Sequence, residues 1–208
     1  MIIKSFELNK LNLNNYNYFL FYGINEGSKL EQVVSIKSKN IDRKVYKYDE
    51  KEVLDKSEEI LSDLMSKSLF EDKKIIIINR SSDKIIKFLT ELFEKNITDL
   101  ILIIDATILD KKSKLRLLFE KDKKLVCVPF YQDTHTTLAT LVQKFLRREQ
   151  INISQSNINL IIQKCNGDRG ILNNELEKIS LFCKNKKEIT VQELNKLINL
   201  IENFGISE

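Results

Sequence analysis

The chain has 208 residues, room for one large domain or two small ones. Its 42% hydrophobic and 31% charged content is that of a folding sequence and argues against disorder. Thirty-four basic and 30 acidic residues leave a net charge of only +4, which permits contact with nucleic acid without demanding it.

One proline and five glycines leave little material for irregular loops. Residues 2–8 read as a strand, and residues 18–22 as a stronger one that Gly23 ends. Ser28-x-x-Glu31 has the form of a capping box, and Leu30, Val33 and Val34 follow at helical spacing. Residues 44–48 form a short aromatic-rich strand pattern. A helix is predicted over residues 52–65, with Ile60, Leu61, Leu64 and Met65 on its apolar face. The β-branched run 75–78 fits a central strand covered on both faces. Ile85, Ile86, Phe88, Leu89, Leu92 and Phe93 mark a helix, and residues 100–104 a second buried strand ending at Asp105. A short helix with Leu115, Leu118 and Phe119 precedes a last strand at 125–130.

Strand patterns then stop. Leu138, Leu141, Val142, Phe145 and Leu146 define one helix, and Ile158, Ile161, Ile162 and Cys165 a second. Leu172, Leu176, Ile179 and Phe182 define a third, and Val191, Leu194, Leu197, Ile198 and Ile201 a fourth. The order predicts an α/β domain with a parallel sheet over residues 1–133 and a small all-helical bundle over 134–208. An α/β domain followed by a small helical lid is the layout of P-loop-like AAA+ proteins.

Cys127, Cys165 and Cys183 are far apart and odd in number, without metal-ligand spacing, and read as free buried thiols. The apolar runs are about five or six residues long, far short of the roughly 20 that span a bilayer. No signal peptide opens the chain, and a cytoplasmic protein without membrane contact is expected.

A phosphate loop needs Gly-x4-Gly-Lys-Ser/Thr between a strand and a helix. The right place holds Gly23-Ile24-Asn25-Glu26-Gly27-Ser28-Lys29-Leu30. Three residues separate its glycines, Lys29 comes one position late, and Leu30 replaces the hydroxyl that binds magnesium. Asp105 follows a buried strand without a second carboxylate and reads as a cap or turn residue. Metal, lysine and base are needed together for ATP hydrolysis, so an ATPase-like fold without ATPase chemistry or cofactor is expected. His135 reads as a surface or capping residue, Gly167 as a helix C-cap and Asp168 as an N-cap. Glu175 to Lys178 and the lysines 111, 112 and 114 with Arg116 read as solvated faces.

Leu69 and Phe70 stand in a polar loop, Ser66-Lys67-Ser68-Leu69-Phe70-Glu71-Asp72, between a helix and a buried strand. Either they fold back onto the core or they form a two-residue plug for an apolar pocket on a partner. Ser68-Leu69-Phe70, followed by Lys73-Lys74-Ile75-Ile76-Ile77-Ile78, resembles the clamp-binding element of the delta subunits of the bacterial DNA polymerase III clamp loader. Phe19-Leu20-Phe21-Tyr22-Gly23 is similar to that family's opening strand, and Asp110-Lys111-Lys112-Ser113-Lys114-Leu115 to its basic turn. Gly167-Asp168-Arg169 with Asn174-Glu175-Leu176-Glu177-Lys178-Ile179 is similar to its lid signature.

The resemblance implies a non-catalytic subunit that binds and opens the beta sliding clamp during DNA replication. Ser68, Leu69 and Phe70 would form the contact, helped by the preceding helix at Met65. It also implies partners of the gamma/tau and delta-prime type, and primer-template DNA within the assembled loader. The family has a third, collar-forming helical domain, which would begin about where residues 203–208 stand. Two other readings stay open. One is an active AAA+ or P-loop NTPase, and the other a DNA-binding regulator using the helical region.

Overall fold

The computed structural model describes residues 1–10, 15–65, 73–95, 97, 99–186 and 188–199. Two compact units emerge: Met1–Ile24 with Ser28–Tyr131, and Asn25–Gly27 with Gln132–Glu208. Among the described residues no helix is long and apolar enough to cross a membrane.

The first unit is built on five strands: β1 (Tyr18–Gly23), β2 (Lys44–Asp49), β3 (Lys74–Asn79), β4 (Leu100–Ala106) and β5 (Leu125–Phe130). All pairings are parallel, in the order β2-β3-β4-β1-β5. The three inner strands carry the uninterrupted apolar runs because both their faces are covered. Side chains alternate between two cores. Leu20, Tyr22, Ile76, Ile78, Leu102 and Ile104 enter one. Phe19, Phe21, Ile75, Ile77, Ile101 and Ile103 enter the other. The first core is closed by α2 (Glu50–Asp55), α3 (Ser57–Met65), α4 (Ile86–Glu94) and α5 (Lys114–Lys121), through Val53, Ile60, Leu61, Phe88, Leu89, Leu92, Leu115 and Phe119. The second is closed by Ile36 of α1 (Glu26–Ser38), with Ile3 and Leu8. Pro129 sits in β5, an edge strand, where its missing N–H costs no ladder bond.

Three local expectations change. Residues 2–8 do not form a strand: only Ile2 makes a bridge, to Cys127, and Ser5–Lys10 is a 3-10 turn. The Glu7 carboxylate accepts the Lys4 N–H at 3.2 Å and the Lys4 carbonyl accepts the Glu7 N–H at 2.9 Å, which closes the backbone on itself. The helix expected over 52–65 is two helices, α2 and α3, because Lys56 leaves the helical region at φ −124°, ψ 31°. The capping box expected at Ser28 lies inside α1, which already begins at Glu26.

Asp83 joins two loops of this unit. Its carboxylate accepts the Ser113 hydroxyl at 2.6 Å and the Leu115 and Lys114 N–H groups at 2.9 and 3.0 Å. It thereby caps α5 from outside the helix. Burial pushes its pKa up, but the Ser113 hydroxyl and the two N–H groups outweigh this and hold it below the ordinary value.

The second unit holds α6 (His135–Glu149), α7 (Gln155–Cys165), α8 (Arg169–Phe182) and α9 (Val191–Asn199) around one core, with Leu138, Val142, Ile161, Leu172, Ile179 and Leu194 fully enclosed. Each start is capped. The hydroxyls of Thr134 and Ser154 accept the Thr137 and Asn157 N–H groups, and Asp168 accepts that of Ile171 at 2.9 Å. A reciprocal capping box stands at Thr190-x-x-Glu193: Thr190 Oγ1 accepts the Glu193 N–H, and Glu193 Oε2 accepts the Thr190 N–H. The Lys186 ammonium with both Thr190 donors holds the Glu193 carboxyl down at about 2.

Phe182 is 38% exposed rather than enclosed, with the Lys186 ammonium 4.2 Å from its ring centroid. Glu175, read above as solvated, is 2% exposed, with Lys178 Nζ 2.6 Å away. Neither of its carboxylate oxygens has an aligned hydrogen-bond donor, so this is a charge contact. All three cysteines are buried, and burial raises the Cys127 and Cys165 thiols to about 12.

Removing the Asp83 cap should lower stability by about 1 kcal/mol at neutral pH. Because its carboxyl is held below the ordinary 3.8, this contribution is present above that value and lost as pH falls through the folded-state pKa. Denaturant melts of Asp83→Ala and the wild type should therefore differ at pH 7 and converge in strong acid. A gap of equal size at both pH values would refute the assignment.

Candidate functional site

The first unit's polar interior lies where β1 turns into α1 beside β4. Gly23 closes β1 with φ +123° and donates its N–H to Thr107 O at 2.8 Å. A Cβ there would stand 2.2 Å from the Phe130 carbonyl oxygen, so only glycine fits. From this turn α1 buries Ser28, Lys29, Gln32 and Ile36. Leu30 and Val34, expected on its apolar face, are 62% and 54% exposed, while Val33 packs against the core.

Lys29 is 2% exposed, and such an ammonium must be paired. Its Nζ reaches the end of β4, donating to Asp105 Oδ1 at 2.6 Å and to the Ala106 carbonyl at 3.1 Å. Asp105 is therefore neither a cap nor a turn residue but the counter-ion of Lys29. Counted from Gly23, Lys29 stands six residues on, the offset of the lysine in Gly-x4-Gly-Lys. The displaced element is the second glycine, with Ser28 in its place and Gly27 one residue early. That count was the available sequence signal for the pair. The neighbouring strand β3 ends on Asn79, which Arg80 follows, with no carboxylate at either position.

In the second unit Asn25–Gly27 meets Asp133 and the start of α8. Asn25 Nδ2 donates to Asp133 Oδ2 at 2.9 Å. Arg169 holds the same carboxylate bidentately, Nε to Oδ2 at 2.8 Å and Nη2 to Oδ1 at 2.6 Å, with both side chains largely buried. Gly27 and Gly170 let two backbones touch: a Cβ on Gly27 would stand 2.3 Å from Gly170 N and 2.7 Å from its Cα. Sequence reading gave Arg169 only as part of the lid signature and missed its pairing with Asp133, because 36 residues separate the partners. His135 is exposed at the first position of α6.

Of the residues singled out for partner binding, Met65 ends α3 and is 50% exposed, while Leu64 packs against the core. Ser68, Leu69 and Phe70 lie outside the described residues. Lys111, Lys112 and Lys114 are exposed, as expected. Arg116 is not solvated: its Nε donates to Glu120 at 2.6 Å, and its guanidinium lies 5.1 Å from the Tyr22 ring centroid.

The family model described as DNA polymerase III, delta subunit, matches residues 20–129, and one described as a middle domain matches residues 134–196. Comparison with curated proteins gives no match. The Bacillus subtilis DNA clamp loader delta protein is similar over 95% of this chain, at 16% identity and a TM-score of 0.58. The chain spans 65% of that protein's length. Domain III of the Thermotoga maritima replication initiation protein DnaA aligns with 96% of this chain and 89% of its own, at 16% identity and a TM-score of 0.53. The Thermotoga maritima RuvB Holliday junction branch migration motor covers 92% and 65%, at 14% identity and a TM-score of 0.58. Identities this low speak for the fold alone, an AAA+-like α/β fold with a helical C-terminal region.

The glycine contact has a diagnostic sign. An alanine in a helix is normally stabilising over glycine by roughly 0.5–1 kcal/mol. At Gly27 the Cβ would collide with backbone, so Gly27→Ala should destabilise. Gly170→Ala meets nothing nearer than the Asp168 carboxylate at 3.1 Å and should be tolerated. Thermal melts of the two variants check this, and equal midpoints would remove the close contact from consideration.

Proposed function

The chain belongs to the DNA polymerase III delta-subunit family, and from that premise we propose that it is a clamp-loader subunit that binds and opens the sliding clamp without hydrolysing ATP. The observation that carries the reading is the family match across the α/β region, residues 20–129, which includes the Ser68-Leu69-Phe70 loop. In this reading residues 1–133 are the clamp-binding α/β domain and residues 134–208 the helical lid. Leu69 and Phe70 enter an apolar pocket of the clamp. Burial of two such side chains contributes roughly 3–6 kcal/mol. Micromolar affinity needs about 8 kcal/mol net of association costs, so further surface must take part. Met65, half-exposed at the end of α3, supports that part of the proposal. Contacts that fit an opened clamp better than the closed one would shift the ring towards opening. Gamma/tau- and delta-prime-type subunits would supply the ATP-driven step, and primer-template DNA would meet the assembled loader.

A second reading, a P-loop NTPase, draws support from one observation, the offset of Lys29 from Gly23. Against it stand the commitment of Lys29 to Asp105, the exposed Leu30 in place of a hydroxyl, and the absence of a carboxylate at the end of β3. Magnesium-dependent ATP turnover by the purified chain would establish it in place of the first.

The clamp reading is tested by surface-binding measurements with purified sliding clamp. Leu69→Ala/Phe70→Ala should weaken binding by about two orders of magnitude or more, following the burial estimate. Met65→Ala should weaken it less. Unchanged affinity in the double variant would sink the assignment of the loop.

A further inference from the structure

Arg43 stands just before β2, at the amino end of the sheet, and its side chain is held at two points. Nε donates to Asn40 Oδ1 at 3.2 Å and Nη1 to the Asp99 carbonyl at 2.5 Å. Both acceptors are themselves fixed. Asn40 Nδ2 donates to the Ile36 carbonyl at 2.8 Å, near the end of α1, while its amide oxygen takes the Arg43 bond. The Asp99 carbonyl also accepts the Lys74 N–H at 3.0 Å, and Asp99 has a left-handed φ of +63°. Such a backbone is uncommon for a residue other than glycine. Both acceptors are also neutral. Asp42, the carboxylate next in sequence, pairs with Lys73 at 2.8 Å instead. Among the described residues no carboxylate pairs with the Arg43 guanidinium. A guanidinium has five N–H donors, so these bonds leave three for a further acceptor.

A cavity of about 140 Å³ lies against this side chain. Its apolar lining is the buried Phe19, Ile36 and Ile101, and its polar lining includes Arg43, Asn40 and Asn17. The volume is the liquid share of about five waters, and whole small-molecule pockets start at roughly 300 Å³, so the site takes a fragment. Three buried apolar side chains offer nothing to phosphate, whose oxygens all seek hydrogen bonds. A guanidinium and a carboxylate match in charge and in their paired hydrogen bonds. We propose that this cavity binds a short apolar monocarboxylate, with the carboxylate on Arg43 and the tail among Phe19, Ile36 and Ile101. The source is a free small acid or the C-terminal residue of a partner chain. The proposal does not depend on the clamp reading.

NMR of the purified chain, titrated with 3-methylbutanoate and with the uncharged 3-methylbutanamide, tests it. The acid should shift the Asn17, Asn40 and Arg43 signals saturably, and the amide should bind more weakly by about tenfold or more. Arg43→Gln, without the charge, and Arg43→Lys, without the planar fork, should each weaken the acid by about tenfold or more. No saturable shift at these signals, equal binding of acid and amide, or undiminished binding by Arg43→Gln overturns the proposal. If neither variant folds, the wild-type comparison of acid with amide decides it. Short peptides ending in leucine, with a free or an amidated C-terminus, distinguish the sources. Tighter binding of the free-ended peptide than of the small acid identifies a partner's C-terminal residue, and binding of the small acid alone identifies a free acid.

Discussion

Covering both faces of a parallel sheet dictates where this protein can place polar chemistry. The inner strands β1, β3 and β4 carry apolar side chains on both sides, so charge inside the α/β unit is pushed to the strand ends. At the carboxyl ends stand Gly23, Asn79 with Arg80, and Asp105 with Ala106. Parallel α/β sheets generally bind ligands at those ends. Here the space beside β1 and β4 is used by the chain itself, through Lys29 and Asp105.

The same pair explains the unusual composition of α1. A surface helix ordinarily buries its apolar stripe and shows its polar one. α1 buries Ser28, Lys29 and Gln32 and exposes Leu30 and Val34. Turning the helix to the conventional face would take the lysine from its counter-ion. Leaving one member of a buried ion pair unpaired costs about 3–5 kcal/mol, more than burial of one exposed aliphatic side chain returns. Electrostatics therefore decides which face of α1 points inward.

Much of the fold was legible in the sequence because it rests on periodicity. The apolar runs at 75–78, 100–104 and 125–130 are strands, and the spaced apolar residues of 138–198 form four helices. What was not legible rests on pairings across distance or on short-range competition. Leu30 and Val34 have helical spacing, but nothing local reveals that Lys29 has a partner 76 residues away. Ser28-x-x-Glu31 and Thr190-x-x-Glu193 satisfy the same pattern, and only the second sits where a helix begins. Glu175 looked like part of a solvated face because its spacing to Lys178 is what an exposed helix would show. Of the site, Gly23, Lys29 and Asp105 were marked individually, and it is their convergence that the three-dimensional arrangement adds.

The topology also separates the two chemistries assigned to the α/β unit. Met65 and Lys73 bracket the Ser68-Leu69-Phe70 stretch, and Lys73 leads directly into the amino end of β3. Lys29 meets Asp105 at the opposite, carboxyl end of the adjoining parallel strand β4. In the proposed reading, a partner held at the Met65 end and the ion pair at the other are divided by the length of a buried strand. Residues in the run Ile75–Ile78 have no polar side chains through which to transmit a charge change. The lysine and its carboxylate tie α1 to the carboxyl end of β4.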